Sequence, residues 1–132
     1  MRLPHLDRRI PLERGEAHTV AVAIAGYLAR LLSREQYHQP LGWHEVLMLA
    51  PLTRLRRRLL TRHHAEANQV RVLATRRRPP KPRLLRVPLE ELVALRASLA
   101  GVQAAGDLSA TAVLGKFHEA STALEAYITF SP

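Results

Sequence analysis

The side chains able to do chemistry in this chain are arginines crowded into one stretch and histidines set beside glutamates. Twelve of the twenty Lys and Arg residues lie between Arg54 and Arg86, where Glu66 is the single acid, so that stretch carries a net charge of about +11. The segments before and after it carry about +1 and −3, within a whole-chain charge of +9. Charge that dense repels itself unless an anionic partner neutralises it. Arginine outnumbers lysine eighteen to two. The guanidinium fork suits two-point contact with phosphate oxygens. The pattern points to a polyanion as the partner.

Seven histidines raise a metal or acid–base reading. His44-Glu45 and His118-Glu119 begin like the zinc motif H-E-x-x-H, but the fourth residue after each His is Met48 or Thr122. His63 and His64 are adjacent, so on a helix they point about 100° apart, a poor chelate. His5, His18 and His38 show no ligand spacing. There is no cysteine, which excludes disulfides, thiolate metal sites and thiol nucleophiles. No glycine-rich nucleotide loop of either common pattern is present. The two aspartates, Asp7 and Asp107, are too few and too far apart for a two-metal nuclease. No cofactor, metal or catalytic activity is expected; an acid–base pair such as His44 with Glu45 would need a pocket that sequence does not reveal.

Elements that would position the basic residues can be read from periodicity. Residues 1–14 hold two prolines and no clean period, and read as an extended arm on a single globular domain of residues 15–132. From Glu16 to Tyr37, Val20, Ile24, Leu28, Leu31 and Leu32 have helical spacing. Val20, Val22 and Ile24 also alternate, which leaves a strand start as the rival. His38-Gln39-Pro40-Leu41-Gly42 breaks the chain. A second helical region runs from Trp43 to about Ala67, with Pro51 as a kink or a new helix start. Leu52, Leu55 and Leu59 share a face there, with Leu60 at its edge. Arg54, Arg57, Arg58 and Arg62 lie largely opposite, and Arg54, Arg58 and Arg62 form an i, i+4 ladder.

Val70–Ala74 and Arg83–Val87 alternate like strands on either side of an Arg/Pro segment. They predict a basic β-hairpin over about 70–87, its tip carrying Arg76, Arg77, Arg78, Lys81 and Arg83, with Arg71 and Arg86 on its strands. Pro88 with Glu90 and Glu91 marks a further helix start. Leu92, Leu95, Leu99 and Val102 give it an apolar stripe, and Gly106 fits its C-cap. Asp107 or Ser109 would cap a last helix that turns Val113, Phe117, Leu124 and Ile128 inward. These two form an antiparallel helical hairpin. The fold class is α+β and mostly helical, with four or five helices and one β-hairpin. Trp43 reads as a core anchor, and Tyr127, Ile128 and Phe130 as core packing.

At 132 residues and 47% apolar composition the chain can bury a core without metals or disulfides. Its longest uncharged run, Ala17 to Ala29, falls short of the roughly 20 residues of a membrane span. A cytoplasmic protein without membrane association is expected. The function expected is non-catalytic binding of nucleic acid backbone, duplex or structured and tolerant of sequence. Its contacts would be Arg54, Arg57, Arg58, Arg62, Arg71, Arg76, Arg77, Arg78, Lys81, Arg83 and Arg86. No aromatic lies between Trp43 and Phe117, and stacking platforms for single strands need aromatics near the charge, which favours a duplex. The rival is an interaction or assembly subunit, whose basic hairpin docks on an acidic protein and whose Ala-rich helical hairpin forms a homo-oligomer contact.

Overall fold

The structure is a computed structural model that describes residues 6–36, 40–76 and 83–130, side chains 35, 69–76, 83 and 130 excepted. In chain order the elements are β1 (Arg8–Leu12), α1 (Glu16–Gln36), α2 (Trp43–Arg76), β2 (Arg83–Val87), α3 (Leu89–Ala97), α4 (Leu99–Ala105) and α5 (Leu108–Phe130). The protein is mostly helical, with one two-stranded antiparallel sheet.

Residues 6–12 contribute to the core. In β1 the alternation turns Ile10 and Leu12 inward at 1% exposure, and Leu6 is buried just before them. Ile10 pairs with Leu85, and Arg8 with Val87. Leu85 and Val87 are buried in turn, so each strand supplies two apolar side chains to the interior.

This pairing corrects the hairpin expected over 70–87. Val70–Ala74 is not a strand; it continues α2 to Arg76. Arg83–Val87 is a strand, but its partner is β1, more than seventy residues earlier. Arg, Leu and Ala are good helix formers, and a helix already nucleated at Trp43 extends through them at little cost. Pairing with β1 puts Ile10 and Leu12 into the core beside Leu85 and Val87. Of the expected hairpin tip, Arg76 ends α2, Arg83 opens β2, and residues 77–82 lie outside the described residues.

A turn at Glu13–Gly15 carries β1 into α1. Gly15 has φ 87°, left-handed backbone that suits glycine. Its N–H donates to Glu66 Oε2 at 3.3 Å, and its carbonyl accepts from the Thr19 N–H and hydroxyl. The strand alternative for the start of α1 fails because Val20, Ile24 and Leu31 are buried at helical spacing while Val22 is exposed.

At the other end, Gly42 caps α2: its carbonyl accepts from Val46 N–H, and its own N–H donates to Glu45 Oε1 at 3.2 Å. Pro51 neither starts nor ends this helix. Its missing N–H costs the Leu47 carbonyl its helical donor, beside a side chain that is itself exposed to water. The helix spans ~51 Å at 1.5 Å per residue. Leu52, Leu55 and Leu59 are fully buried and Leu60 half-buried, as the spacing predicts.

The helices α1 and α2 run antiparallel: Gly15 and His18 meet Glu66 and His63, while Arg34 bonds Glu45 at the far end. The stripe Leu92–Val102 divides into α3 and α4 at Ser98, whose hydroxyl bonds back to the Ala94 carbonyl at 2.7 Å. Asp107 caps α5 by accepting the Ala110 N–H at 2.9 Å. The α3–α4 segment runs back along α5, with Arg96 reaching Glu125 and the Ser121 carbonyl. A methyl group on Gly101 would lie 2.3 Å from the Tyr27 ring, so only glycine lets α4 approach α1 this closely. Val113, Phe117 and Leu124 are buried as expected, but Tyr127 and Ile128 are 50% and 53% exposed. They lie near the end of α5, Ile128 on a groove against α3 and Tyr127 with the Arg8 guanidinium 5.5 Å from its ring centroid. Buried residues from every element form one hydrophobic cluster.

Candidate nucleic-acid interface

The outer face of α2 is set by what its inner face must do. Burial of Leu52, Leu55 and Leu59 leaves Arg54 and Arg57 exposed on the far side. Neither forms a salt bridge to a described acid. The half-buried Arg56 forms none either.

Three other arginines of the expected set have partners inside the protein. Arg58 bonds Glu91 of α3 at 2.9 Å. Arg62 bonds Glu66 at 3.2 Å and the Leu12 carbonyl of β1 at 3.2 Å, and its side chain is 12% exposed. Arg86 bonds Asp7 at 2.8 Å while remaining exposed. The Arg54–Arg58–Arg62 ladder therefore divides: the first step faces water, and the next two tie α2 to its neighbours. Arg71 and Arg76 belong to α2 and Arg83 opens β2, but their side chains are not among those described. Arg77, Arg78 and Lys81 lie outside the described residues.

The sheet adds a basic residue that the charge count alone does not single out. Arg9 stands directly opposite Arg86 on the exposed face of the two strands. Like charges in that position disfavour the pairing unless an acid or a bound anion offsets them. Asp7 serves Arg86. No local signal pairs Arg9 with Arg86, because the register joins segments far apart in sequence.

Trp43 also departs from its expected place. It is 83% exposed, not a core anchor. It opens α2, and the turn after it presents Val46 and Leu47 at 42% and 64% exposure. In the first two turns of α2, Glu45 meets Arg34 of α1 and Met48 packs on the core, while Trp43, Val46 and Leu47 lie on the exposed side.

Glu91 is the buried acid of the region, 4% exposed. Its removal from water pushes its carboxyl above the usual carboxylate range. The charge and hydrogen bond of Arg58 and the charge of Arg54 oppose that shift, and Glu90 adds to it. A raised folded value means that the folded state holds this proton more tightly than the unfolded chain. The contribution to stability is then full below the ordinary glutamate value of 4.5 and is lost as pH rises through the raised value. Urea titrations from pH 4 to 8 should show wild type losing stability relative to Glu91→Gln across that window. Parallel profiles for the two proteins would rule this out.

The histidines gather differently from their spacing. His18 of α1 lies against His63 of α2, ring centroids 4.6 Å apart, and His64 is 6.0 Å from His63. His63 Nδ1 is buried and has no hydrogen-bond partner. Among the described residues no group of three His, Asp or Glu side chains is arranged to hold a metal. His44 and His118 are exposed, and the Glu45 carboxylate is engaged by Arg34 and the Gly42 N–H. Burial and the Glu45 charge raise the Tyr27 hydroxyl above its ordinary value, against the Arg34 charge. Among the described residues no helix is long and apolar enough to cross a membrane. No protein-family description, curated protein or solved structure matches this chain.

Proposed function

We propose that this protein binds nucleic acid without catalysis, gripping the phosphate backbone with the outer face of α2 and the basic segment that follows it. The observation that carries the reading is the exposure of Arg54 and Arg57, neither in a salt bridge to a described acid, inside a stretch of net charge about +11. The extension of α2 to Arg76 supports it, because the charges from Arg54 to Arg76 then belong to one rod. Arg71, Arg76, Arg77, Arg78, Lys81, Arg83 and Arg86 extend the contact. Arg58 and Arg62 hold the rod in place.

Titration of the nucleic-acid-free protein into labelled duplex DNA, single-stranded DNA and duplex RNA at several salt concentrations tests this. Binding should weaken steeply with salt. Arg54→Ala with Arg57→Ala should lower affinity for all sequences alike and flatten the log–log salt slope by roughly 0.9 per lost duplex contact. A loss confined to one sequence, or salt-independent binding, would contradict the reading.

A second reading is an assembly subunit, favoured by an apolar groove between α3 and α5. Leu89, Leu92, Val93, Leu124 and Ile128 line it, with a volume of about 270 Å³. Self-association or capture of an acidic protein, with no affinity for nucleic acid, would support that reading instead.

A further inference from the structure

We infer that Trp43 is a stacking platform for an unpaired base, and that the chain therefore takes single-stranded nucleic acid in preference to a closed duplex. The inference rests on the backbone-binding reading above and names its substrate class. It reverses the expectation of a duplex, which assumed that no aromatic side chain stood beside the exposed arginines.

The geometry of α2 supplies that aromatic. Arg54 follows Trp43 by eleven positions, close to three helical turns, so at regular helical pitch the two lie within roughly 20° of one face and ~16.5 Å apart along the axis. Arg57 stands less than a turn further on. All three side chains are exposed, Trp43 at 83%. Val46 and Leu47 widen the apolar ground beside the indole, and the exposed His44 adjoins it.

The chemistry of the two ends of this face selects the partner. Arg54 and Arg57 call for anions, while Trp43 calls for an apolar or aromatic plane. Every nucleotide of an open strand carries both a phosphate and a π-face, and a few nucleotides of extended strand span the distance. A closed duplex hides its base faces in the stack and offers the indole only backbone and groove edges. A protein partner would have to bring an acidic patch and an apolar cleft together in the same spacing. Stacking on an indole tolerates any base, which agrees with the sequence-tolerant grip of arginine on phosphate.

The chain has one tryptophan, so its indole emission reports position 43 alone. The test titrates the full chain with a thymidine 20-mer, an abasic strand of equal length and a blunt 20-base-pair duplex, at two salt concentrations. The thymidine strand is expected to quench emission strongly and the abasic strand to leave it nearly unchanged. Trp43→Ala should lower affinity for the thymidine strand by about five- to a hundredfold without changing the salt slope. Trp43→Phe should restore most of it, and duplex affinity should stay constant. Far-ultraviolet circular dichroism of Trp43→Ala should match wild type, since the side chain packs on little.

Equal affinities of wild type and Trp43→Ala for the thymidine strand, without quenching, would overturn the stacking role and leave backbone binding intact. Unchanged nucleic-acid affinity with loss of self-association in Trp43→Ala would assign the patch to a protein contact and overturn it too. Failure of wild type to bind any of the three probes near physiological salt would remove the underlying reading itself.

Discussion

Arg62→Ala is expected to destabilise the fold by about 2–4 kcal/mol while leaving nucleic-acid affinity per folded molecule unchanged. Arg62 has a largely buried side chain that joins α2 to β1. Its removal takes a donor from the Leu12 carbonyl and from the half-buried Glu66 carboxylate. Glu66 also holds the Gly15 N–H at the left-handed turn, so the loss spreads to the start of α1. Arg62→Lys should recover only part of the stability, because an ammonium lacks the fork that reaches two acceptors at once. Arg57→Ala provides the contrast: stability within about 0.5 kcal/mol of wild type, and weakened binding. Chemical denaturation paired with binding titrations reads both. If Arg62→Ala keeps its stability but loses affinity, the division of the arginines between structure and binding is wrong.

Phe117→Ala is expected to cost about 3–5 kcal/mol, enough to unfold a marginal domain of this size. Phe117 is 1% exposed and the bulkiest of the fully buried side chains. It sits in the core cluster on α5, which packs against α1, α3, α4 and β1. Cooperative thermal unfolding should move down by roughly 3–5 °C for each kcal/mol lost. Phe117→Leu, which keeps most of the volume, should cost less than half as much. A small shift for Phe117→Ala would mean that neighbouring helices close over the cavity, and that this centre is softer than its burial implies.

The split between these arginines marks how far helical periodicity reaches. Leu52, Leu55 and Leu59 mark one face of α2 unambiguously, so the opposite face is legible as basic from residue spacing. Periodicity does not say which basic side chains meet another element. Arg54 and Arg58 are one helical turn apart and differ in fate because only the second bonds Glu91 directly, although the charge of the first also reaches it. Pro51 and Trp43 mislead for a related reason. Local rules treat proline as a boundary and tryptophan as core. Here the helix passes through Pro51 and turns Trp43 to its exposed side.

The helical class, the starts of α1 and α2, the caps at Pro88 and Asp107, and most of the inward residues of α2 and α5 are all legible in the linear chain. These depend on neighbours within a turn or two, which a linear pattern records directly. The local character of the excess charge is legible too, because counting needs no geometry. The pairing of β2 with β1, the meeting of Arg9 with Arg86 and that of His18 with His63 emerge only when the chain is folded. Folding also separates the arginines that bind Glu66, Glu91 and Asp7 from those left to solvent. Apart from the single turn between Arg62 and Glu66, such contacts join residues tens of positions apart. Their selection follows from the total apolar area buried when every element packs together, a quantity that no single segment carries.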